Sequence, residues 1–345
     1  MKKTQMALAA VALVASTAAM AEVSMYGVAD VNVVNKTGGT SIGGAGNSAG
    51  SILGFKGSDD LGGGLKASFL LEAGYSAATG QYANGGAATG LFNRQAYVGL
   101  GNETVELKAG FQISPFITAA LTGAGGLGGN GVFVPGLTRL FGDLAAVDGV
   151  NDGSGGSASG INGVASGGFF VPDALNLSVN TGGATVNLMN RVQASTGDAY
   201  YAGSLTTSMG GVNLALAGQN RKGTTNATNY VLAGNTNVGD VTLSGAWSKN
   251  SGDFTGNGVT VGASTPIAGA LSGGIQYFKA ADSASGNQTS VSLKYTLSKA
   301  TYGYLNYSQF SVASKGILAA NDNGNFNDAD AETKRLIAVG VAHSF

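Results

Sequence analysis

The sequence contains no cysteine, only four prolines, a single histidine and charged residues at no more than 11%. Without thiols the chain builds neither a disulfide frame nor a thiolate metal site, which suits a polypeptide that crosses an oxidising compartment unfolded. The lone histidine, His343, excludes a multi-histidine zinc site and would make any Ser-His-Asp arrangement depend on a residue near the C-terminus. Catalysis is therefore not expected. The Glu, Lys, Arg and Leu stock that builds soluble helices is short, while glycine reaches 59 residues, so the chain reads as all-β. A formal net charge of −1 offers no basic patch for nucleic acid.

Long hydrophobic runs are also missing beyond the first residues. Lys2 and Lys3 give a positive start, an apolar stretch runs from Met6 to Val14, and Ala19-Met20-Ala21 supplies the small-x-small pattern that signal peptidase reads. The stretch is shorter than the ~20 apolar residues of a spanning helix. Residues 1–21 are expected to be a signal peptide. Its removal would leave 324 residues (345 minus 21), Glu22 to Phe345, as one domain with no helical span.

What is present is alternation. Val23, Met25, Ala29, Val31 and Val33 alternate with Ser24, Tyr26, Asp30 and Asn32, and Val105, Leu107, Ala109 and Phe111 with Thr104, Glu106, Lys108 and Gln112. Leu65, Ala67, Phe69, Leu71 and Tyr75 alternate with Lys66, Ser68 and Glu72; Val291, Leu293 and Tyr295 with Ser290, Ser292 and Lys294. Such ~10-residue units are greasy on one face and wet on the other, the pattern of strands in a membrane-spanning barrel. The periodicity predicts sixteen strands, near 22–34, 50–59, 65–75, 92–100, 104–113, 173–181, 184–194, 198–208, 212–221, 227–237, 241–250, 257–265, 270–281, 287–297, 301–312 and 334–345. An even count closes an antiparallel up-and-down barrel and leaves no sheet edge for lipid to leave unsatisfied.

Short turns such as Leu61-Gly62-Gly63-Gly64, Gly182-Gly183 and Gly210-Gly211 fall at every second connection and are expected on the periplasmic side. Between them lie longer Gly/Ser/Asn-rich loops near 35–49, 76–91, 251–256, 282–286 and 313–333, and a very long connection at 114–172. The apolar patches Val132-Phe133-Val134-Pro135 and Leu137 to Leu144 within it favour an inward fold into the lumen over a solvated insertion. Tyr75, Phe92, Phe111, Tyr200, Tyr277, Tyr302, Tyr304, Phe310 and Phe345 fall near strand ends, where aromatic rings suit the lipid headgroup level.

Leu53-Gly54-Phe55-Lys56-Gly57-Ser58-Asp59-Asp60-Leu61-Gly62-Gly63-Gly64-Leu65-Lys66-Ala67, Leu71-Glu72 and Phe92-Asn93-Arg94-Gln95-Ala96-Tyr97-Val98-Gly99-Leu100, together with Leu297-Ser298-Lys299-Ala300-Thr301 and a terminal Phe345, resemble the general trimeric porins of Gram-negative bacteria, of the short type common in beta-proteobacteria. The resemblance implies a sixteen-stranded transmembrane barrel, a homotrimer and a third loop folded inward as the constriction of a diffusion channel for small hydrophilic solutes. It also implies an outer-membrane setting, contact with outer-membrane lipid and lipopolysaccharide, and recognition of Phe345 by the barrel-assembly machinery. Departures cluster at the constriction: Ile52 and Phe111 stand where the family often carries Arg, and the Gly-rich stretch 123–131 matches poorly.

A channel of this kind sorts solutes by charges on its wall and neck. Alternation places Lys56, Lys66, Glu72, Glu106, Lys108 and Arg191 on wet faces. Arg94 shares the parity of Phe92 and Val98, and it is the resemblance that implies a lumen position for it. Asp143, Asp148 and Asp152 in the long connection are candidates for the acidic side of a transverse field. The alternative function is a substrate-selective channel of the same fold, with a binding site formed by 114–172. Asp322, Asp328, Asp330 and Glu332 offer oxygens for Ca²⁺ but lack the EF-hand spacing, so a solvated acidic loop accounts for them. Gly123-Ala124-Gly125-Gly126-Leu127-Gly128 matches a dinucleotide pattern, yet neither strand nor helix is predicted to flank it, and no cofactor is expected.

Overall fold

The structure, a computed structural model, describes residues 22–36, 39–43, 50–80, 91–123, 170–192, 199–222, 226–252, 255–279, 287–314 and 333–345. In chain order the strands are β1 (Glu22–Lys36), β2 (Gly39–Gly43), β3 (Ile52–Gly62), β4 (Leu65–Gly74), β5 (Gln95–Gly101), β6 (Val105–Ile113), β7 (Phe170–Asn180), β8 (Ala184–Arg191) and β9 (Ala199–Met209). They continue with β10 (Val212–Lys222), β11 (Ala227–Val238), β12 (Val241–Gly252), β13 (Gly256–Ala268), β14 (Leu271–Lys279), β15 (Asn287–Thr296), β16 (Thr301–Ser314) and β17 (Thr333–Ser344). One helix, α1 (Pro115–Leu121), follows β6.

Strands pair antiparallel with their neighbours in sequence, except that β2 and β3 both pair with β1, and β17 pairs with β1 to close the ring. β2 pairs with the far half of β1 and β3 with its near half, so β2 and β3 are two lengths of one stave and the barrel has sixteen staves. Sequence reading missed β2, because Gly39 to Gly43 looks like loop. At the break between the two lengths, Asp30 N donates to Ser51 Oγ at 2.9 Å, replacing the ladder bond lost there.

Closure is sealed at the C-terminus. Gly27 N donates to Phe345 O at 3.0 Å and Phe345 N donates to Gly27 O at 3.1 Å. A Cβ on Gly27 would stand 2.3 Å from Phe345 Cζ, so the terminal ring fits only because residue 27 has no side chain.

The seven short connections, the start of β1 at Glu22 and the C-terminal Phe345 lie at one end of the barrel, and the strand ends that lead into the long connections at the other. The Met209↔Val212 pairing leaves a two-residue turn, with Gly210 and Gly211 at φ 58° and 81°. Two successive positive φ values are what the hairpin turn matching strand twist requires, and glycine meets them without strain.

Register then sorts the side chains. Val23, Met25, Val31 and Val33 of β1, Leu188 of β8 and Leu216 of β10 are all exposed on the outer face, whereas Asp30, Asn32, Ser204, Gln219, Asn229 and Ser290 face inward and are buried. An apolar exterior over a polar interior is the reverse of a soluble domain and is stable only with lipid outside.

One sector of the interior departs from this rule. The inward positions of β9 to β12 carry Ala202, Ala215, Ala217, Val231, Ala233 and Ala246, and α1 packs onto them through Phe116, Ile117, Ala119 and Ala120. Phe116 and Ile117 are almost wholly buried, each stabilising the attachment by roughly 1.5–3 kcal/mol. Small inward side chains make room for the helix. The start of the 114–172 connection therefore folds into the lumen; residues 124–169 lie outside the described residues.

Candidate pore wall and constriction

The geometry of α1 begins with Ser114. Its Oγ accepts from Phe116 N at 3.1 Å as N-cap, and Pro115 fills the first helical position. The same Oγ stands 2.6 Å from the Tyr200 hydroxyl. Tyr200 donates to Gln219 Oε1 at 2.9 Å, Gln219 Nε2 to Asn229 Oδ1 at 2.9 Å, and Asn229 Nδ2 to Asn250 Oδ1 at 2.7 Å. Because Tyr200 gives its one hydrogen to Gln219, Ser114 is the donor to Tyr200. A directional chain of hydrogen bonds thus runs from the helix cap across β9, β10, β11 and β12 in buried surroundings, where each satisfied bond rigidifies the next.

The other end of α1 is held as firmly. Asn235 Nδ2 donates to Thr122 O at 2.8 Å and Gln276 Nε2 to Gly123 O at 3.3 Å. A Cβ on Gly123 would come within 2.7 Å of Ala246 Cβ and Gly245 O, so the chain grazes β12 where only glycine fits.

The charged wall lies across the ring. Lys56 pairs with Ser24 and Leu70, Lys66 with Gly101, Glu72 with Gln95 and Lys108 with Gly99 and Asn176, which puts all of these and Glu106 on the inward face of β3 to β6. β3 and β11 are eight staves apart in a ring of sixteen; the basic wall and α1 therefore face each other over the lumen.

Within that wall Glu72 and Glu106 are engaged by cations, while Asp60, exposed and the register partner of Lys66 on the same face, accepts from Gly62 N at 2.9 Å. Arg94 Nε donates to Glu72 Oε1 at 2.6 Å and Tyr26 Oη to Glu72 Oε2 at 2.8 Å. Lys108 Nζ lies 3.1 Å from Glu106 Oε2, and Ser68 Oγ donates to Glu106 Oε1 at 2.7 Å. The Lys56 and Lys66 side chains, by contrast, are exposed, with Lys56 Nζ 5.4 Å from the Tyr26 ring, and Lys108 keeps the same spacing from Tyr97. Such cation–π contacts hold an ammonium in place without cancelling its charge.

Arg94 precedes β5 in a bend, so strand parity does not govern it. It crosses the inward face of Gly74, where a Cβ would stand 3.1 Å from Arg94 Cδ, and its guanidinium lies 5.3 Å from the Phe170 ring, whose centroid is 5.8 Å from that of Phe111 with the planes tilted by 50°. Arg191 is inward and buried on β8, 3.8 Å from Asp173. Asp143, Asp148, Asp152, Asp322, Asp328, Asp330 and Glu332 lie outside the described residues.

Tyr97 and Arg221 escaped the sequence reading, while Tyr26 and Lys294 were read on wet faces without being singled out as wall residues. Tyr26, Tyr97, Arg221 and Lys294, whose Nζ lies 4.2 Å above the Tyr302 ring, all face inward. Tyr200, Tyr302, Tyr304 and Phe310 do too, which corrects their expected headgroup position: Tyr200 serves the helix cap, and Tyr304 Oη donates to Asp30 Oδ1 at 2.6 Å. α1 escaped too, although its signal stands in Ser114-Pro115 followed by Phe116-Ile117-Thr118-Ala119-Ala120-Leu121, a cap and first-turn proline ahead of an apolar run.

The model of the Gram-negative porin family matches residues 7–313. The chain belongs to that family. Outer membrane porin protein 32 of Delftia acidovorans is 28% identical over 374 aligned positions that cover all of both chains. The major outer membrane protein P.IB of Neisseria gonorrhoeae is 40% identical over 124 positions, a third of each. Among solved structures, the anion-selective porin from Comamonas acidovorans superposes with a TM-score of 0.67 at 24% identity, covering 94% of this chain and all of that one. The trimer form of OmpT from Vibrio cholerae gives 0.58 at 11%, covering 94% and 99%; at these identities the likeness shows the fold. As a porin, this barrel sits in the outer membrane and forms a water-filled channel for passive passage of small hydrophilic solutes and ions. Its short-turn end is periplasmic and its long-connection end extracellular.

Proposed function

We propose that the conducting path of this porin runs between α1 and the inward wall of β3 to β6, and that it favours anions. One observation carries the reading: Glu72 and Glu106 are each bound by a cation and a hydroxyl, while Lys56 presents an exposed ammonium group to the lumen and Lys66 another, with Asp60 as its register partner. In a narrow neck with low-dielectric walls, uncancelled charge of one sign raises the local concentration of the opposite ion. The similar Comamonas acidovorans structure carries the description anion-selective, in keeping with this reading. The test is the zero-current potential of the purified protein in planar bilayers under a KCl gradient: a sign showing that chloride outruns potassium is expected, and a cation-preferring sign refutes it.

The same reading assigns residues 1–21 to a cleaved signal peptide, on the strength of Lys2, Lys3, the apolar stretch and Ala19-Met20-Ala21. It takes the protein as a homotrimer, as OmpT is in its trimer form, and as a substrate of the barrel-assembly machinery through the Phe345 end of the closing strand. It assigns no catalysis. His343, the sole histidine, is placed by strand parity on the outer face near the periplasmic end, with Nδ1 2.8 Å from Thr301 Oγ1.

A further inference from the structure

Glu72 and Glu106 each receive their hydroxyl from two staves away, over a glycine. Tyr26 of β1, Gly54 of β3 and Glu72 of β4 are register partners in one row on the inward face. The outer staves of such a row stand about 10 Å apart, and the Tyr26 side chain covers that distance by lying against Gly54, so that its Oη reaches Glu72 Oε2 at 2.8 Å. A Cβ on Gly54 would stand 2.3 Å from Tyr26 Cζ and 2.6 Å from its Oη. A residue with any side chain closes the path.

The arrangement recurs over β5. Ser68 of β4 is the register partner of Gly99, and its Oγ donates across that stave to Glu106 Oε1 of β6 at 2.7 Å. A Cβ on Gly99 would meet Ser68 Oγ at 2.4 Å and Glu106 Oε1 at 2.6 Å, inside the hydrogen bond itself. At the closing seam Tyr304 of β16 passes over Gly340 of β17, where a Cβ would stand 2.6 Å from its Cζ, to donate to Asp30 Oδ1 of β1 at 2.6 Å. None of these three glycines has a positive φ, so the backbone alone would accept alanine at each. What they supply is the open path. Asp60 gives the contrast: it faces inward, is exposed, and has a backbone amide, Gly62 N, as donor.

We propose that Gly54 and Gly99 are specificity-determining positions of the pore, each keeping open the path by which a hydroxyl holds a wall carboxylate flat against the strands. The inference rests on the anion-favouring reading and deepens it by naming what keeps Glu72 and Glu106 from offsetting the wall lysines. A carboxylate that accepts from a cation on one oxygen and a hydroxyl on the other has both directed at the wall by charge-assisted bonds. Without the hydroxyl, one oxygen turns to the water of the lumen and repels chloride there. Gly54 acts twice, because the ring lying against it is also the one beneath Lys56 Nζ.

The test is the chloride-to-potassium permeability ratio of the purified protein in planar bilayers. S68A and Y26F delete each hydroxyl with the glycine left in place, and Y26F keeps the ring beneath Lys56; G99A fills the path with the hydroxyl still present. Each is expected to lower the ratio about twofold, the effect of a unit charge brought to about 8 Å from an ion in water. The shift vanishes where no charge can be released: S68A and G99A leave the ratio of E106Q unaltered, and Y26F that of E72Q. G183A, on a turn with open space around it, is the control and matches the unaltered protein. An unchanged ratio in either S68A or Y26F overturns the proposal, as does a shift in G99A that persists in the E106Q background, which would mean that the added methyl acts through lumen width. Each result is a difference from the unaltered protein, so the direction of the shift tests the glycines even where the unaltered pore prefers potassium, the separate outcome that refutes the anion reading.

Discussion

Glu72 on β4 and Arg94 in the bend before β5, twenty-two residues apart in sequence, are joined by a 2.6 Å hydrogen bond that also pairs their charges. Glu72 is 8% exposed at its side chain and Arg94 29%, so the pair is shielded from water on the carboxylate side. Removing the guanidinium strands a buried carboxylate with only the Tyr26 hydroxyl as donor. Losing one member of a buried pair costs about 3–5 kcal/mol. Arg94→Ala is expected to lower the barrel's melting temperature, read by the heat-dependent shift in gel mobility, and to reduce anion preference.

Glu72→Gln separates the electrostatic from the structural part of that contact. The amide still accepts from Tyr26, while the Arg94 charge is no longer cancelled. The chloride-to-potassium permeability ratio should rise above that of the unaltered protein, with a smaller stability loss than in Arg94→Ala. A fall in the ratio would mean that Arg94 does not border the conducting path.

Tyr200→Phe probes the attachment of α1 without touching the barrel ladder. The change removes the hydroxyl that links Ser114 to Gln219 and leaves two buried polar atoms short of a partner, at about 1–3 kcal/mol. Greater flicker in single-channel current is expected at an unaltered barrel melting temperature. Quiet channels from this variant would show that the hydrogen-bond chain does not hold the helix.

Gly27→Leu tests the closing seam. Any side chain at residue 27 displaces the Phe345 ring, and overpacking of this sort costs about 1–3 kcal/mol. Folding into detergent micelles should slow and the folded form should melt at lower temperature. Gly183→Leu, on a turn with open space around it, should leave both unchanged.

The staves were legible because lipid outside and polar groups inside impose a strict period of two, visible in Val23 to Val33 and again in Val291 to Tyr295. Where both faces of a strand are apolar the rule fails for a reason. Leu214, Ala215, Leu216 and Ala217 run together on β10 because lipid covers one face and α1 the other. That local break in alternation, with Ser114-Pro115, is the signal that would have revealed the helix, which the sequence reading missed. Arg94 was placed by resemblance and not by alternation, because its position depends on a bend before β5 that parity cannot encode. β2 escaped because Gly39, Thr40, Ser41, Ile42 and Gly43 carry too little apolar character to register as a stave. The inward aromatics escaped because ring content alone does not say which face a strand turns to lipid.

The central claim is that the lysines of the wall opposite α1, Lys56 above all, set the channel's preference. The measurement that addresses it most directly is the zero-current potential of Lys56→Glu/Lys66→Glu in a KCl gradient, compared with the unaltered protein under the same conditions. Reversal of both charges should move the potential toward potassium and change its sign, with conductance retained. An unchanged potential would contradict the claim and place the selectivity elsewhere in the lumen.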